Sequence, residues 1–254
     1  MGTRDPPPPV PPIPGGASLI IAWQVSSRPV TVVGGGSVAT GRVAHLLAAD
    51  AIVTVICPPE GLSHTLQTRL ARGEITHIPR VFDHEHDLSS AEMQPCMVLT
   101  AIDDASVSTS IAQACRALKI PVNVADVPPL CDFYFGSMYR DGPLQVMVST
   151  NGNGPRMAAL VRKRIESSLS EEPFGAAIER LGELRRRVRE AWPGQDKDRV
   201  RARMSWVSQL SEKWTIAQLA SLDDATIGIL VASLGADCPP DYNDIVTQAR
   251  LPQP

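Results

Sequence analysis

The sequence has no strong excess of either charge and no long apolar run. Charged residues make up 20% of the 254 residues, and the formal net charge is −3 at pH 7. A protein that binds nucleic acid over its whole surface needs a basic excess, so the composition argues against that class. No stretch of about 18 consecutive apolar residues occurs, so we expect no transmembrane helix and no membrane partner.

Cysteine is scarce, and its spacing offers no obvious pairing. The five cysteines are odd in number and form no C-x-x-C pair, which favours free thiols in a reducing compartment. The first residues contain PPPPVPPIPGG instead of a basic region followed by an apolar one, so we expect no signal peptide. We therefore predict a cytoplasmic protein in which residues 1–16 are a disordered, Pro-rich tail.

The most informative stretch is VTVVGGGSVA, residues 30–39. Four β-branched residues without alternation are typical of a parallel strand that is buried on both faces, and an alanine-rich helical pattern follows the glycines. Gly34, Gly36 and Ala39 fit the G-x-G-x-x-G/A fingerprint, in which the glycines allow a tight turn and a close backbone approach to a pyrophosphate. The stretch therefore predicts a dinucleotide site at a helix N-terminus.

Strand and helix patterns alternate through the first half of the chain, with short loops between them. This alternation favours a doubly wound parallel sheet of the Rossmann type, over residues 17–125. We predict strands over residues 18–25, 30–33, 51–56, 74–78, 97–101 and 121–124, helices over 37–49, 62–72 and 104–118, and a polar loop over 81–92.

The pattern changes after residue 125. Two β segments, 131–139 and 144–150, flank an Asp-Gly-Pro turn and predict an antiparallel hairpin or a strand exchange. Pro155 suits the first turn of a helix that runs to about residue 169. Because residues 126–170 follow a complete sheet and are apolar, we predict that they form a two-fold dimer with a second chain and contribute to the active site. Residues 171–254 are predicted to be a C-terminal all-α domain, with helices over 174–192, 198–214, 216–219 and 223–234.

The end of the second strand bears on the choice of cofactor. Many dinucleotide folds place an acidic residue there to hold the ribose hydroxyls, but here Cys57 takes that place and Glu60 follows three residues later. No arginine stands there to bind a 2′-phosphate, which favours NAD over NADP. Glu60 could instead be the acidic residue at the start of the next helix. The predicted cofactor contacts are Gly34, Gly35, Gly36, Ser37, Val38, Ala39, Glu60, Ala101 and Asn123.

Residues 83–87, Asp-His-Glu-His-Asp, have the composition of a metal site. Two imidazoles with carboxylates between them could bind a divalent ion, but no further ligand cluster or H-E-x-x-H spacing accompanies them. We interpret the segment as a solvated loop and predict no metal site.

Three segments in order resemble the siroheme-synthase dehydrogenase/chelatase family, and within it the fungal bifunctional enzymes. They are VTVVGGGSVATGRV (30–43), NVADVPPLCDFYFGS (123–137) and LQVMVSTNGNGPRMAALVR (144–162), and the resemblance covers residues 18–170. It implies that precorrin-2 is oxidised to sirohydrochlorin by hydride transfer to NAD⁺, that Fe²⁺ is then inserted to give siroheme, and that the protein is a homodimer.

The resemblance also implies that Asp126 is the general base for both reactions, just past a strand end beside the nicotinamide. From its spacing alone, the turn before Pro128 is the better explanation of Asp126, which would cap that turn, and only the resemblance reverses this preference. Asn123 could orient the substrate or satisfy backbone groups, and Asp132 is a weaker carboxylate candidate. A dehydrogenase without chelatase activity and a non-catalytic NAD-sensing module remain the alternative functions.

Overall fold

The computed structural model describes residue 13 and residues 15–89, 94–236 and 238–250. Most of the predicted Pro-rich tail, residues 1–12 and 14, lies outside the described residues. Contacts divide the chain into two units, Met1–Phe135 and Gly136–Pro254. Within the described residues, no helix is long and apolar enough to cross a membrane.

The first unit is built on a five-stranded parallel sheet, which confirms the predicted fold class. The strand order β3-β2-β1-β4-β5 reverses direction between β1 and β4, and doubly wound folds bind their ligands at such a switch point, outside the carboxyl ends of the strands. The strands are β1 (Pro29–Val33), β2 (Ile52–Ile56), β3 (Thr76–Ile78), β4 (Val98–Thr100) and β5 (Val122–Val124).

Helices cover both faces of this sheet, which explains why β1 shows no alternation of polar and apolar residues. Val32 packs in a core with Val43 of the first helix, whereas Val33, on the opposite face, packs with Ile111 of the fourth. The helices are α1 (Ser37–Leu47), α2 (His64–Ala71), α3 (His84–Ser89) and α4 (Ala105–Ala117).

Two predictions for this unit are wrong. Residues 18–25 form no strand: Leu19 is 86% exposed, and Trp23 packs its ring edge against Phe133 with ring centroids 5.8 Å apart. Within this apolar segment, Val25 is buried and Trp23 packs against the core, whereas Ile20 and Ile21 are exposed. The loop predicted over residues 81–92 contains α3, because Asp83 accepts hydrogen bonds from the backbone N–H groups of Glu85 (2.9 Å) and His86 (3.3 Å) at the start of the helix.

The segment that follows β5 belongs to the first unit. A strand was predicted from residue 131, but the observed strand β6 begins at Ser137. Before it, the N–H of Asp132 donates to the Val122 carbonyl (2.8 Å), and the side-chain amide of Asn123 donates to the Phe133 carbonyl (2.8 Å). These bonds tie residues 131–135 to β5, so the boundary between the units falls later than the predicted residue 125.

The second unit begins with an antiparallel hairpin and continues as helices. The hairpin pairs Ser137 with Val148 and Asp141 with Leu144, as the Asp-Gly-Pro turn predicts. A separate core, which includes Leu184, Leu210 and Leu230, holds the helices together. The elements are β6 (Ser137–Asp141), β7 (Leu144–Val148), α5 (Pro155–Leu169), α6 (Phe174–Ala191), α7 (Lys197–Lys213), α8 (Ile216–Ala220), α9 (Asp224–Ala232) and α10 (Tyr242–Ala249), of which α10 was not predicted.

Candidate dinucleotide and catalytic site

The first two glycines of the fingerprint are required by the backbone. Gly34 has φ +111°, and a Cβ there would lie 2.2 Å from the carbonyl oxygen of Ala101. A Cβ on Gly35 would lie 2.5 Å from the carbonyl oxygen of Gly61. Ala101 and Gly61 therefore form the walls of the turn, and only glycine allows the chain to pass between them.

The third glycine has a different role, because a Cβ on Gly36 would meet nothing within 4 Å among the described residues. Gly36 is the N-cap of α1, no described side chain caps this helix end, and its first turn carries no acidic residue. Ala39 is fully buried, so the helix packs closely on the sheet. The N–H groups of Ser37, Val38 and Ala39 lie at this uncapped helix end, the position at which doubly wound folds bind a dinucleotide pyrophosphate.

Ser63 and Thr40, which were not among the predicted site residues, hold this loop in place. The N–H of Ser63 donates to the Gly35 carbonyl (2.9 Å), and the Thr40 hydroxyl donates to the Gly36 carbonyl (2.9 Å). The two side-chain hydroxyls lie 2.8 Å apart. Ser63 is recognisable in the sequence as the N-cap of α2, but its contact with Thr40 depends on the fold.

Glu60 lies in a short 3-10 turn, Pro59–Gly61, directly after β2. It is exposed, and α2 begins only after Ser63, with no acidic residue in its own first turn. The structure therefore favours a position for Glu60 at the edge of the site over a role in starting α2. The neighbouring Cys57 is buried, and burial, followed by the charge of Glu60, raises the pKa of its thiol, so Cys57 is a neutral packing residue.

Asp126 follows β5 at the same edge of the sheet. Its φ is +59°, an uncommon conformation for a residue with a side chain, and it is exposed. The preceding residue, Ala125, is held by a hydrogen bond from its N–H to the Thr100 carbonyl (3.0 Å). The carboxylate of Asp126 is thus presented to solvent on the β5 side of the switch point, whereas Glu60 stands on the β2 side.

Asn123 and Asp132 have structural partners. Asn123 is only 3% exposed, and its amide nitrogen donates to the Phe133 carbonyl, which is the backbone role; its Oδ1 has no hydrogen-bond partner among the described residues. Asp132 accepts from the N–H of Val122 (2.9 Å) and pairs with Arg116 (3.2 Å). Both carboxylates are exposed, but within the described residues only that of Asp126 forms no hydrogen bond and no ion pair.

The side chains of residues 83–87 are engaged with one another and with neighbouring groups. The Nδ1 atom of His86 lies 2.9 Å from an oxygen of Asp83, and Asp87 forms an ion pair with Arg80 (2.6 Å). Backbone hydrogen bonds from the first turn of α3 lower the pKa of Asp83. In the part of the chain that the structure describes, no group of three or more His, Cys, Asp or Glu side chains could hold a metal ion.

Comparison with known proteins agrees with the fold of the first unit. A family model described as NAD(P)-binding matches residues 21–137, and models for the central and C-terminal parts of sirohaem biosynthesis proteins match residues 141–168 and 172–237. The fold is shared with a solved structure, "SirC, precorrin-2 dehydrogenase", at 21% identity and a TM-score of 0.57, over 91% of this chain and 98% of that one. The first unit is thus an NAD(P)-binding domain of the Rossmann class.

Curated relatives identify the family. The chain is 46% identical over 234 residues to the siroheme biosynthesis protein met8 of Schizosaccharomyces pombe. The aligned residues cover 92% of this chain and 86% of that one. It is 36% identical over 183 residues to the siroheme synthase of Methylobacillus flagellatus, of whose length it covers 38%. The chain therefore belongs to the siroheme biosynthesis protein family, and the resemblance drawn from the three sequence segments is confirmed.

Proposed function

We propose that the protein oxidises precorrin-2 to sirohydrochlorin with NAD⁺ and then inserts Fe²⁺ to give siroheme, with Asp126 as the general base of both reactions. The observation that carries this proposal is the pairing of two features at one sheet edge. The glycine turn opens at Gly36 towards a nucleotide, and the exposed carboxylate of Asp126 stands past the end of β5. Family membership supplies the pathway to which this chemistry belongs.

In the oxidation, NAD⁺ accepts a hydride from the tetrapyrrole, and one proton must leave the substrate for each hydride. The N-terminus of α1 holds the phosphates. The close backbone packing at Gly34 and Gly35 sets how near to the end of the sheet the phosphates lie. Asp126 accepts the proton at a carboxylate oxygen. Its position after β5 is the side on which the nicotinamide half of a dinucleotide lies when the ribose of the other half is near β2.

In the chelation, Fe²⁺ is a substrate that replaces two pyrrole N–H protons. A carboxylate that accepts protons from the oxidation can accept these as well, so one site serves both steps. The alternative is a dehydrogenase that leaves iron insertion to another protein. An iron-insertion assay on purified sirohydrochlorin separates the two, since only the bifunctional enzyme converts it to siroheme faster than the uncatalysed rate.

We infer NAD as the cofactor in preference to NADP. The exposed Glu60 in the turn after β2 can accept hydrogen bonds from ribose hydroxyls, and its charge opposes a 2′-phosphate. Titration of the protein with each dinucleotide is the direct test. Comparable affinities for NAD and NADP would contradict the proposal that Glu60 selects NAD.

We also propose a homodimer formed through β6, β7 and α5, in the cytoplasm. The helix α5 exposes Met157 (57%), Leu160 (43%) and Val161 (39%) on its surface, and a second copy would cover them. All five cysteines are free thiols, which supports a reducing compartment. Sedimentation at micromolar concentration should give a species of twice 27.3 kDa, and a monomer would contradict the dimer.

The direct test of the proposed function is spectroscopic. Purified protein, precorrin-2 and NAD⁺ should produce the absorbance of sirohydrochlorin together with NADH, and added Fe²⁺ should then give siroheme. An NAD-sensing module without catalysis would bind NAD and give neither product.

A further inference from the structure

Arg42 is a cation of α1 that stacks on the segment after β5, in which the proposed catalytic carboxylate, Asp126, also lies. It lies on α1, is half-buried, and its Cζ atom is 4.1 Å from the centroid of the Phe135 ring. Within the described residues it forms neither an ion pair nor a hydrogen bond. The neighbouring His45, three residues later on the same helix, has its ring 5.7 Å from that of Phe135.

This environment is costly for a guanidinium. Burial lowers the pKa of Arg42, and the negative charge of Asp126 acts in the opposite direction; the Cys131 thiol, whose own pKa is raised by burial, carries no charge to pair with it. Stacking on an aromatic ring recovers part of the lost hydration, but it leaves the five N–H donors of the guanidinium without a charged acceptor. Burial and the charge of Arg42 also lower the pKa of His45, so this imidazole is neutral and does not compete for an anion.

The position of Arg42 separates it from the expected phosphate site. It follows Gly36 by six residues, which in an α-helix is about 9 Å along the axis. Its surroundings belong instead to β5, because the Cys131 thiol bonds to the Val124 carbonyl (3.1 Å) and the Phe133 carbonyl accepts from Asn123 (2.8 Å). Glu60, the predicted ribose contact, follows β2 on the other side of the switch point.

We propose that Arg42 binds a carboxylate of the tetrapyrrole substrate and so positions the reacting ring at Asp126, with Phe135 holding the guanidinium in place. The proposal rests on the proposed function, because it takes its ligand from that reaction. A guanidinium binds a carboxylate through two parallel hydrogen bonds, which fixes orientation as well as position. Precorrin-2 and sirohydrochlorin each carry eight carboxylates, so one of them can meet Arg42 while a neighbouring pyrrole faces Asp126.

The test compares Arg42→Gln and Arg42→Lys with Arg72→Gln, which removes the same charge from a side chain that is 68% exposed on the same unit. We expect Arg42→Gln to raise KM for precorrin-2 and Kd for sirohydrochlorin by about 10- to 100-fold, the usual value of charge-assisted hydrogen bonds. Arg42→Lys should recover part of this loss. The Kd for NAD should stay within about twofold in all three variants, and Arg72→Gln should match the wild type.

Several outcomes would overturn the inference. If the wild type oxidises precorrin-2 and Arg42→Gln does so with unchanged KM and unchanged sirohydrochlorin binding, the inference fails while the proposed function stands. If Arg42→Gln weakens NAD and not the tetrapyrrole, Arg42 belongs to the cofactor. If the wild type neither oxidises precorrin-2 nor binds sirohydrochlorin, the proposed function fails and the inference fails with it. Equal loss with Arg42→Gln and Arg42→Lys, accompanied by a lower melting temperature in both, would assign Arg42 to folding.

Discussion

Gly36→Asp separates the electrostatic role of the glycine turn from its steric role. The φ of Gly36 is −75° and a Cβ there meets nothing within 4 Å of the described residues, so the variant should fold without strain. Asp is a favourable N-cap, and its charge complements the helix dipole, which should stabilise the nucleotide-free protein by about 0.5–1 kcal/mol. The same charge stands where the pyrophosphate must approach.

The effect on binding follows from Coulomb's law. Two unit charges about 5 Å apart repel each other by about 3 kcal/mol at an effective dielectric constant of 20, which weakens binding on the order of 100-fold. Gly36→Asn has nearly the same shape without the charge, and we expect it to bind NAD at least about tenfold more tightly than Gly36→Asp. Calorimetric titration with NAD and thermal unfolding without it provide the two readouts.

The opposite pattern is expected two residues earlier, at Gly34. Gly34→Ala forces a side chain into a conformation with φ +111° and a contact of 2.2 Å with the Ala101 carbonyl, so it should lower the free energy of unfolding by about 3 kcal/mol or more. Near-normal NAD affinity in a folded Gly36→Asp variant, or a more severe folding defect there than in Gly34→Ala, would refute the assignment of roles within the turn.

Three further predictions concern neighbouring features. Ser63→Ala removes a helix cap and the hydroxyl contact with Thr40, so it should lower the free energy of unfolding by about 1–2 kcal/mol and weaken NAD binding. Denaturant unfolding and NAD titration measure the two effects, and an unchanged denaturant midpoint would contradict the first. Burial raises the pKa of Cys115 to about 12, so the folded state holds this proton more strongly than the unfolded state, and stability should fall as the pH rises from about 9 to 12. Cys115→Val should flatten that dependence, and an unaltered slope would show that other groups cause it. Alanine at both His84 and His86 should leave precorrin-2 oxidation and iron insertion nearly intact; loss of iron insertion alone would make that segment the chelatase site.

Much of the first unit could be predicted because its signals are local. A buried parallel strand, a glycine turn and a small-residue helix start are contiguous in residues 30–39, and the structure gives β1 and α1 there. In the second unit, α5 (Pro155–Leu169) begins at the predicted residue, because proline suits the first turn of a helix. In these places the local preferences agree with the fold.

The errors arose where tertiary contacts decide the structure. Residues 18–25 have the composition of a strand, but they form none, and Trp23 of this segment packs on Phe133. The two roles predicted for Asn123 could not be separated in the sequence either, because its side-chain amide donates to the carbonyl of Phe133, ten residues further along the chain. Neither partner can be identified from the local sequence, because each contact joins segments that only the folded chain brings together.

The same limit applies within the candidate site. The fingerprint identified the turn, but the contact of Thr40 with Ser63 spans 23 residues, and the stacking of Arg42 on Phe135 joins α1 to the segment after β5. Asp126 was found through resemblance to a family and not through its spacing. Its left-handed conformation at the sheet edge is information that only the structure provides.

The central claim is that Asp126 accepts protons in both reactions, and the most direct measurement is the rate of each step with Asp126→Asn. Asparagine keeps the shape and tolerates the φ of +59°, but it accepts no proton. We predict that precorrin-2 oxidation and iron insertion both fall by about 10²–10⁴-fold while the Kd for NAD stays within about twofold. Loss of oxidation with unchanged iron insertion would contradict a shared base, and retention of both rates would contradict any catalytic role for this carboxylate.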